Sequence, residues 1–187
     1  KGVKRVNVLV DYPVIHEYMM QYKNQLQLRQ DQGDHWTNLR NCAYLDEFKK
    51  EKIIWGELSD KPKFAYDSNG FYAEATLFFM IGSELKYLLA ILNSKVSEWY
   101  FNQISTSSGM GTTRWKKYKI ELLPIKKISS ATQKSILTLA DKILATKQRD
   151  PQADTTAWER EIDQLVYQLY DLTPEEIAVV EESTRAK

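Results

Sequence analysis

Residues 53–81 have the sequence IIWGELSDKPKFAYDSNGFYAEATLFFMI and contain three runs rich in β-branched and aromatic residues. Polar separators at residues 59–62 and 67–70 divide these runs. The second separator contains Asn69-Gly70, a dipeptide that favours a tight turn between strands. The stretch therefore predicts a small, largely antiparallel sheet.

The residues before this stretch predict a short strand over 6–10, a helix from Pro13 to about residue 29 and a short helix over 44–50. After it, Ser83 and Ser94 are suited to cap two helices with apolar stripes. A short strand is predicted over residues 119–123. The last third predicts two amphipathic helices and a third that begins with a capping box at residues 173–176.

These elements predict an α+β fold in two parts. Residues 1–128 form a mixed lobe, with a small antiparallel sheet and flanking helices. Residues 129–187 form a helical hairpin that packs on the lobe or on a catalytic portion missing from this sequence.

Composition bounds the class of protein. The 187 residues are 43% hydrophobic and 27% charged, which is typical of a chain with a packed core and excludes a disordered one. The single cysteine excludes a disulfide-bonded scaffold, and the longest apolar runs are too short to span a membrane. We expect a cytoplasmic protein without a membrane partner. Because the chain starts at Lys1, we expect it to be a piece of a longer protein.

Charge is segregated along the chain, although the net charge is only +1. Residues 109–127 carry six basic side chains against one acidic, whereas residues 151–187 carry nine acidic against three basic. A local basic segment is typical of proteins that bind nucleic acid, although a solvated lysine-rich loop has the same composition.

The loop at residues 105–119 concentrates groups that suit DNA. Arg114 offers a planar fork for a guanine edge or a phosphate, and lysines supply non-specific attraction to phosphates. Trp115 and Tyr118 are expected to buttress the loop. Lys63 and Arg40 come from two further polar segments. The candidate DNA-binding residues are Arg114, Lys116, Lys117, Lys119, Thr112, Thr113, Lys63 and Arg40.

Two alternatives from other classes remain open. Asp67, Glu84 and Lys86 superficially match the pattern by which many nucleases hold Mg²⁺, although Glu84 and Lys86 are predicted to lie on a helix where such nucleases use a strand. The basic loop is also compatible with a module that binds an acidic protein partner. The histidines and the cysteine have no spacing typical of a metal site, so we expect no metal ligands and no catalytic residues here.

A series of motifs over residues 12–128 resembles the TaqI-like C-terminal specificity domain of restriction–modification enzymes and adenine-specific DNA methyltransferases. The most distinctive are Leu89-Ala90-Ile91-Leu92-Asn93-Ser94-Lys95 and the later Leu123-Pro124-Ile125. Others are Trp36-Thr37-Asn38-Leu39-Arg40, Lys52-Ile53-Ile54-Trp55, Ser59…Pro62…Phe64…Asp67 and Arg114-Trp115.

The resemblance implies a target recognition domain that binds double-stranded DNA and has no catalytic activity of its own. It also implies a methyltransferase domain upstream in the same chain, which would bind S-adenosylmethionine, and Mg²⁺ if the parent also cleaves DNA. No cofactor is expected in this part. Because recognition residues in such domains vary with the target, the candidate residues rest on the loop chemistry.

Overall fold

The computed structural model describes residues 5–105 and 111–185 and divides the chain into two compact units. The first unit is Lys1–Leu45 and the second is Asp46–Lys187. The sequence predicts a further boundary near residue 128, between a recognition lobe and a helical region. That division stays a prediction.

Short helices dominate the described part of the first unit. They are α1 (Val8–Asp11), α2 (Pro13–Met20) and α3 (Lys23–Leu28). The strand predicted over residues 6–10 is wrong, because Asn7 and Asp11 close a helical turn. The Asp11 N–H donates to the Asn7 carbonyl, and the Asn7 N–H donates to the Asp11 carboxylate, both at 2.7 Å. Such local bonds outweigh the weak strand preference of valine. The helix predicted from Pro13 is confirmed, with a turn that divides it into α2 and α3.

The second unit is built around a central strand. Its strands are β1 (Lys52–Gly56), β2 (Leu58–Ser59), β3 (Ala65–Asp67), β4 (Leu77–Met80) and β5 (Thr113–Arg114). β1 pairs antiparallel with β3 on one side and with β4 on the other, which confirms the predicted antiparallel sheet. The turn at Asn69-Gly70 therefore does not join two paired strands. β2 and β5 form a separate two-stranded antiparallel ribbon.

A buried ion pair joins β1 to β3 where Lys52 faces Asp67. Lys52 is fully buried and Asp67 is 5% exposed. The Asp67 carboxylate also accepts from the Asn69 N–H at 2.7 Å and from the Phe71 N–H at 3.0 Å. Burial alone would raise the pKa of Asp67. The Lys52 ammonium and the two amide donors outweigh that effect and lower the pKa below its ordinary value.

In the described part of the second unit, six helices accompany the strands, two before β5 in the sequence and four after it. They are α4 (Leu85–Leu92), α5 (Lys95–Ile104), α6 (Lys117–Ile120), α7 (Ser130–Arg149), α8 (Thr156–Leu169) and α9 (Pro174–Arg185), and a 3₁₀ turn at Leu45–Lys49 precedes β1. The strand predicted over residues 119–123 is wrong. Ile120 and Leu123 are both buried, and a spacing of three residues places them on one face of a helical turn, not of a strand.

The helix caps are partly as predicted. The Ser94 hydroxyl accepts from the Ser97 N–H at 3.3 Å and caps α5, which is confirmed. Ser83 does not cap α4, because Glu84 occupies the cap position in a left-handed conformation with φ of 56°. The Glu84 carboxylate accepts from the side-chain amide of Gln133 on α7 at 2.9 Å, a contact that comes from tertiary packing.

Two clusters of buried side chains, each contiguous, form the interior of the second unit. The first joins the sheet, α4, α5 and the ribbon, and it includes Ile53, Trp55, Phe64, Leu89, Leu92, Phe101 and Trp115. The second joins α4, α7 and α8, and it includes Tyr87, Ile91, Ile136, Leu139, Ile162 and Val166. The predicted C-terminal helices and the capping box, in which the Thr173 N–H donates to Glu176 at 2.8 Å, are confirmed. Within the described ranges, no helix combines the length and apolarity needed to cross a lipid bilayer.

A buried carboxyl group links three of these helices. Asp163 on α8 is 8% exposed and accepts from the Lys95 N–H of α5 at 2.9 Å. The Lys95 ammonium pairs with Glu181 on α9 at 2.5 Å. Burial raises the pKa of Asp163 to about 6, although both groups of Lys95 favour the ionised form.

The buried ion pair generates a first prediction. Lys52→Met leaves the Asp67 carboxylate buried without its cation, so we expect the free energy of unfolding to fall by about 3–5 kcal/mol. Urea denaturation at neutral pH measures this loss. Lys49→Met is the control, since it breaks an exposed pair with Asp46 at 2.9 Å and should cost less than about 1 kcal/mol. Equal losses in the two variants would contradict the assigned role of the buried pair.

Asp163 generates a second prediction, on pH dependence. Its folded-state pKa lies above its unfolded value. The stability it contributes is therefore complete below the unfolded pKa and is lost as pH rises through about 6. Asp163→Asn keeps an acceptor for the Lys95 N–H but does not titrate.

We expect the stability of Asp163→Asn relative to the unmodified chain to increase by up to about 3 kcal/mol between about pH 4 and pH 8. Urea denaturation of both proteins across this range measures the difference. Asp141→Asn, which alters an exposed carboxylate paired with Lys86, is the matched surface control measured alongside it. A difference for Asp163→Asn that does not vary with pH would disprove the assignment.

Candidate nucleic-acid interface

The β2–β5 ribbon presents one outward face and one inward face. Leu58 pairs with Arg114 and Ser59 pairs with Thr113, so each pair has its side chains on the same face. Leu58 is 55% exposed and the Arg114 side chain is 53% exposed, whereas Thr113 is 5% exposed. The outer face of the ribbon therefore consists of a leucine beside an arginine.

Trp115 fixes the ribbon to the core. Its ring is 2% exposed and stacks on Phe101, with ring centroids 3.9 Å apart and an interplanar angle of 5°. Its backbone N–H donates to the Glu57 carbonyl at 2.7 Å, and the Trp55 indole donates to the Trp115 carbonyl at 2.8 Å. The expectation that Trp115 buttresses the loop is confirmed. For Tyr118 it is wrong, because the Tyr118 side chain is 61% exposed.

Glu57 forms ion pairs with two cations of the basic segment, Arg114 and Lys116. Arg114 donates from Nη1 to Glu57 Oε1 at 2.7 Å, and the Lys116 Nζ lies 3.3 Å from the same oxygen. Hydrogen bonds from Arg114 and then from Lys116 lower the pKa of Glu57. The cluster of three therefore carries one net positive charge at neutral pH and holds the guanidinium in a defined orientation.

Lys63 lies close to the ribbon. It lines a cavity of about 110 Å³ together with Leu58, Ser59 and Trp115. Its ammonium pairs with Asp60 at 2.7 Å, and the hydrogen bond from Lys63 lowers the pKa of Asp60 to about 2. The Lys63 side chain remains 59% exposed, so it is available to a ligand.

The two lysines of α6 differ in their surroundings. Lys117 is 73% exposed and lies 3.6 Å from Glu121, one helical turn away. Lys119 donates from Nζ to the Ile104 carbonyl at 2.5 Å, at the C-terminal end of α5. A cation at a helix C-terminus stabilises the carbonyl groups there, so Lys119 has a structural partner that the sequence did not indicate.

The remaining predicted residues differ in their exposure. Thr113 faces inward, so its hydroxyl is not on the surface, whereas Thr112 is half-buried. Arg40 is exposed and belongs to the first unit, where its N–H donates to the Asp31 carbonyl at 2.7 Å. Residues 106–110 of the predicted loop, with Gly109 and Met110, lie outside the described residues.

The groups of the nuclease alternative each contact a different partner. Asp67 pairs with buried Lys52, Glu84 accepts from Gln133, and Lys86 pairs with Asp141 at 2.6 Å. Across residues 5–105 and 111–185, no group of three or more His, Cys, Asp or Glu side chains is arranged to hold a metal ion. The alternative stays a prediction without support from these contacts.

Sequence reasoning missed Glu57 and Leu58, which complete the outer face of the ribbon. Both lie between a predicted strand and a polar separator, in a segment interpreted as a connection. An available signal was the apolar Leu58 inside that otherwise polar connection, since such a residue favours a short strand over a loop.

Comparison with known families supports a specific class for this chain. A family model described as the TaqI-like C-terminal specificity domain matches residues 1–125, which include both strands of the ribbon. This match confirms the resemblance seen in the motifs. No curated protein matches the chain.

The geometry of the cluster predicts how Glu57 titrates. Arg114→Ala removes the hydrogen bond that contributes most to its lowered pKa, so the pKa of Glu57 should rise toward the ordinary value. Side-chain carboxyl chemical shifts followed by NMR across a pH titration measure this change. Lys117→Ala is the matched control, since Lys117 pairs with Glu121 and should leave Glu57 unaffected. An unchanged pKa in Arg114→Ala would show that the contact does not form in solution.

Proposed function

This chain belongs to the family of TaqI-like C-terminal specificity domains, and we propose that its β2–β5 ribbon recognises the double-stranded DNA target of a restriction–modification enzyme. Domains of this family supply DNA sequence specificity and not catalysis. In our proposal the parent is a site-specific DNA adenine methyltransferase, with or without endonuclease activity. Its upstream domain binds S-adenosylmethionine, and Mg²⁺ where it cleaves DNA, and the enzyme acts in the cytoplasm.

The observation that carries the proposal is the exposed Arg114 on a two-stranded ribbon. The major groove of B-DNA is about 12 Å wide and admits a two-stranded β-ribbon, and arginine to guanine is the commonest specific contact there. The ribbon is held by buried Trp115, so its outer face keeps its shape when it meets DNA. A rigid arginine on a ribbon suits recognition of a base edge better than a flexible lysine-rich loop would.

Glu57 positions Arg114 for this role. The contact with Glu57 engages Nη1 of the guanidinium, and within the part of the chain that the structure describes no hydrogen bond holds Nη2. The remaining donors are therefore free to contact guanine O6 and N7. Because Glu57 limits the rotamers of Arg114 before binding, less conformational entropy is lost when the base contact forms.

Three lysines around the ribbon suit contacts to the phosphate backbone. Lys116, Lys117 and Lys63 have exposed side chains on the segments that flank Arg114. Glu121 and Asp60, the carboxylate partners of Lys117 and Lys63, are exposed too, and such pairs are weak enough to exchange for phosphates. Binding should therefore weaken steeply with rising salt. Lys119 contributes only long-range electrostatic attraction to DNA, because its ammonium group is hydrogen-bonded to the Ile104 carbonyl at the end of α5.

The division between base and phosphate contacts predicts two kinds of mutational effect. Arg114→Ala should reduce discrimination at one base pair by about 1–3 kcal/mol, because a bidentate contact to one base is lost. Lys117→Ala should weaken binding to all sequences alike and should reduce the salt dependence by about one ion. Titrations of duplexes with every single base-pair change in the preferred site, at two or more salt concentrations, measure both effects.

Equal losses on every duplex for Arg114→Ala would remove its role in specificity. An acidic polypeptide of matched charge serves as the control ligand. If it binds as tightly as duplex DNA, the basic segment is a protein-binding surface and the proposed function is wrong.

A further inference from the structure

We infer that Leu58 determines specificity by contacting the C5-methyl group of a thymine next to the base pair that Arg114 recognises. The inference rests on the proposed function and adds a second recognised base to it. It follows from the placement of one exposed leucine on the ribbon.

The first argument is geometric. Leu58 and Arg114 are directly paired across β2 and β5. Directly opposite residues in an antiparallel pair have Cβ atoms about 4.5–5.5 Å apart and project from the same face. Stacked base pairs are about 3.4 Å apart. When the direction from β5 to β2 follows the DNA axis, a ribbon that places Arg114 on one base pair brings Leu58 within reach of the base pair beside it.

The second argument is chemical. Leu58 is 55% exposed on the same face as a charged guanidinium, although its neighbour Ser59 lies on the inward-facing pair. A leucine cannot bond to phosphate. The thymine C5-methyl group is the apolar group that the bases present in the major groove, and apolar side chains recognise it. Burial of the leucine against that methyl group would remove apolar surface from water.

The experiment compares thymine with uracil, which differ only in the methyl group. Selection from a random duplex library with the full chain first gives the preferred site. Duplexes with deoxyuridine in place of each thymine, one at a time, are then titrated with the unmodified chain. We expect about a fourfold loss of affinity at one thymine, adjacent to the base pair at which Arg114→Ala relaxes preference.

Leu58→Ala should bind the thymine and uracil duplexes equally, because its side chain no longer reaches the methyl group. Leu122→Ala is the matched control, since Leu122 is also 55% exposed but lies outside the ribbon. It should keep the fourfold discrimination.

Two outcomes would overturn the inference while the proposed function stands. One is sequence-specific binding in which no thymine adjacent to the Arg114 position is sensitive to loss of its methyl group. The other is a sensitivity that persists in Leu58→Ala. Failure of the unmodified chain to select any duplex sequence would instead overturn the proposed function, and the inference with it.

Discussion

Burial of the Trp115 ring is the interaction on which the candidate interface depends. The ring stacks on Phe101 of α5 and meets Phe64 edge-on, with centroids 5.7 Å apart. The backbone of Trp115 also bonds to Glu57 and to the Trp55 indole. A single residue therefore ties α5, the sheet and both strands of the ribbon together. Since the ribbon has only two residues in each strand, its own hydrogen bonds could not hold it, and a two-stranded pair is marginal in water.

Electrostatics in the second unit depends more on local pairing than on total charge. The ammonium group of Lys119, in the basic segment 109–127, is directed to a backbone carbonyl, and that of Lys52 is directed to a buried carboxylate and a backbone carbonyl. Arg114 and Lys116 remain exposed and share one carboxylate. The surface available to a polyanion is therefore smaller and better ordered than the composition of residues 109–127 indicates. It is suited to specificity as well as to attraction.

The candidate site could be predicted in part. Arg114, Lys116 and Lys63 could be proposed as DNA contacts because basic side chains near a turn are visible in the sequence, and the structure places all three close to the ribbon. Thr113 was predicted to contact DNA but is buried, because its inward orientation depends on the strand register, which the sequence does not show. Glu57 could not be linked to Arg114, because the two are 57 residues apart and meet only through pairing of β2 with β5.

The family, the antiparallel sheet, the C-terminal helices and the cap at Ser94 can all be predicted from the amino-acid sequence. These features follow from local periodicity, capping chemistry and motif order, all of which lie within short stretches of chain. Four features became visible in the folded chain alone: the strand order, the cap at Glu84, the helix at residues 117–120 and the outward face shared by Leu58 and Arg114. Each of these depends on contacts between residues distant in sequence, because burial and cross-strand pairing outweigh weak local preferences.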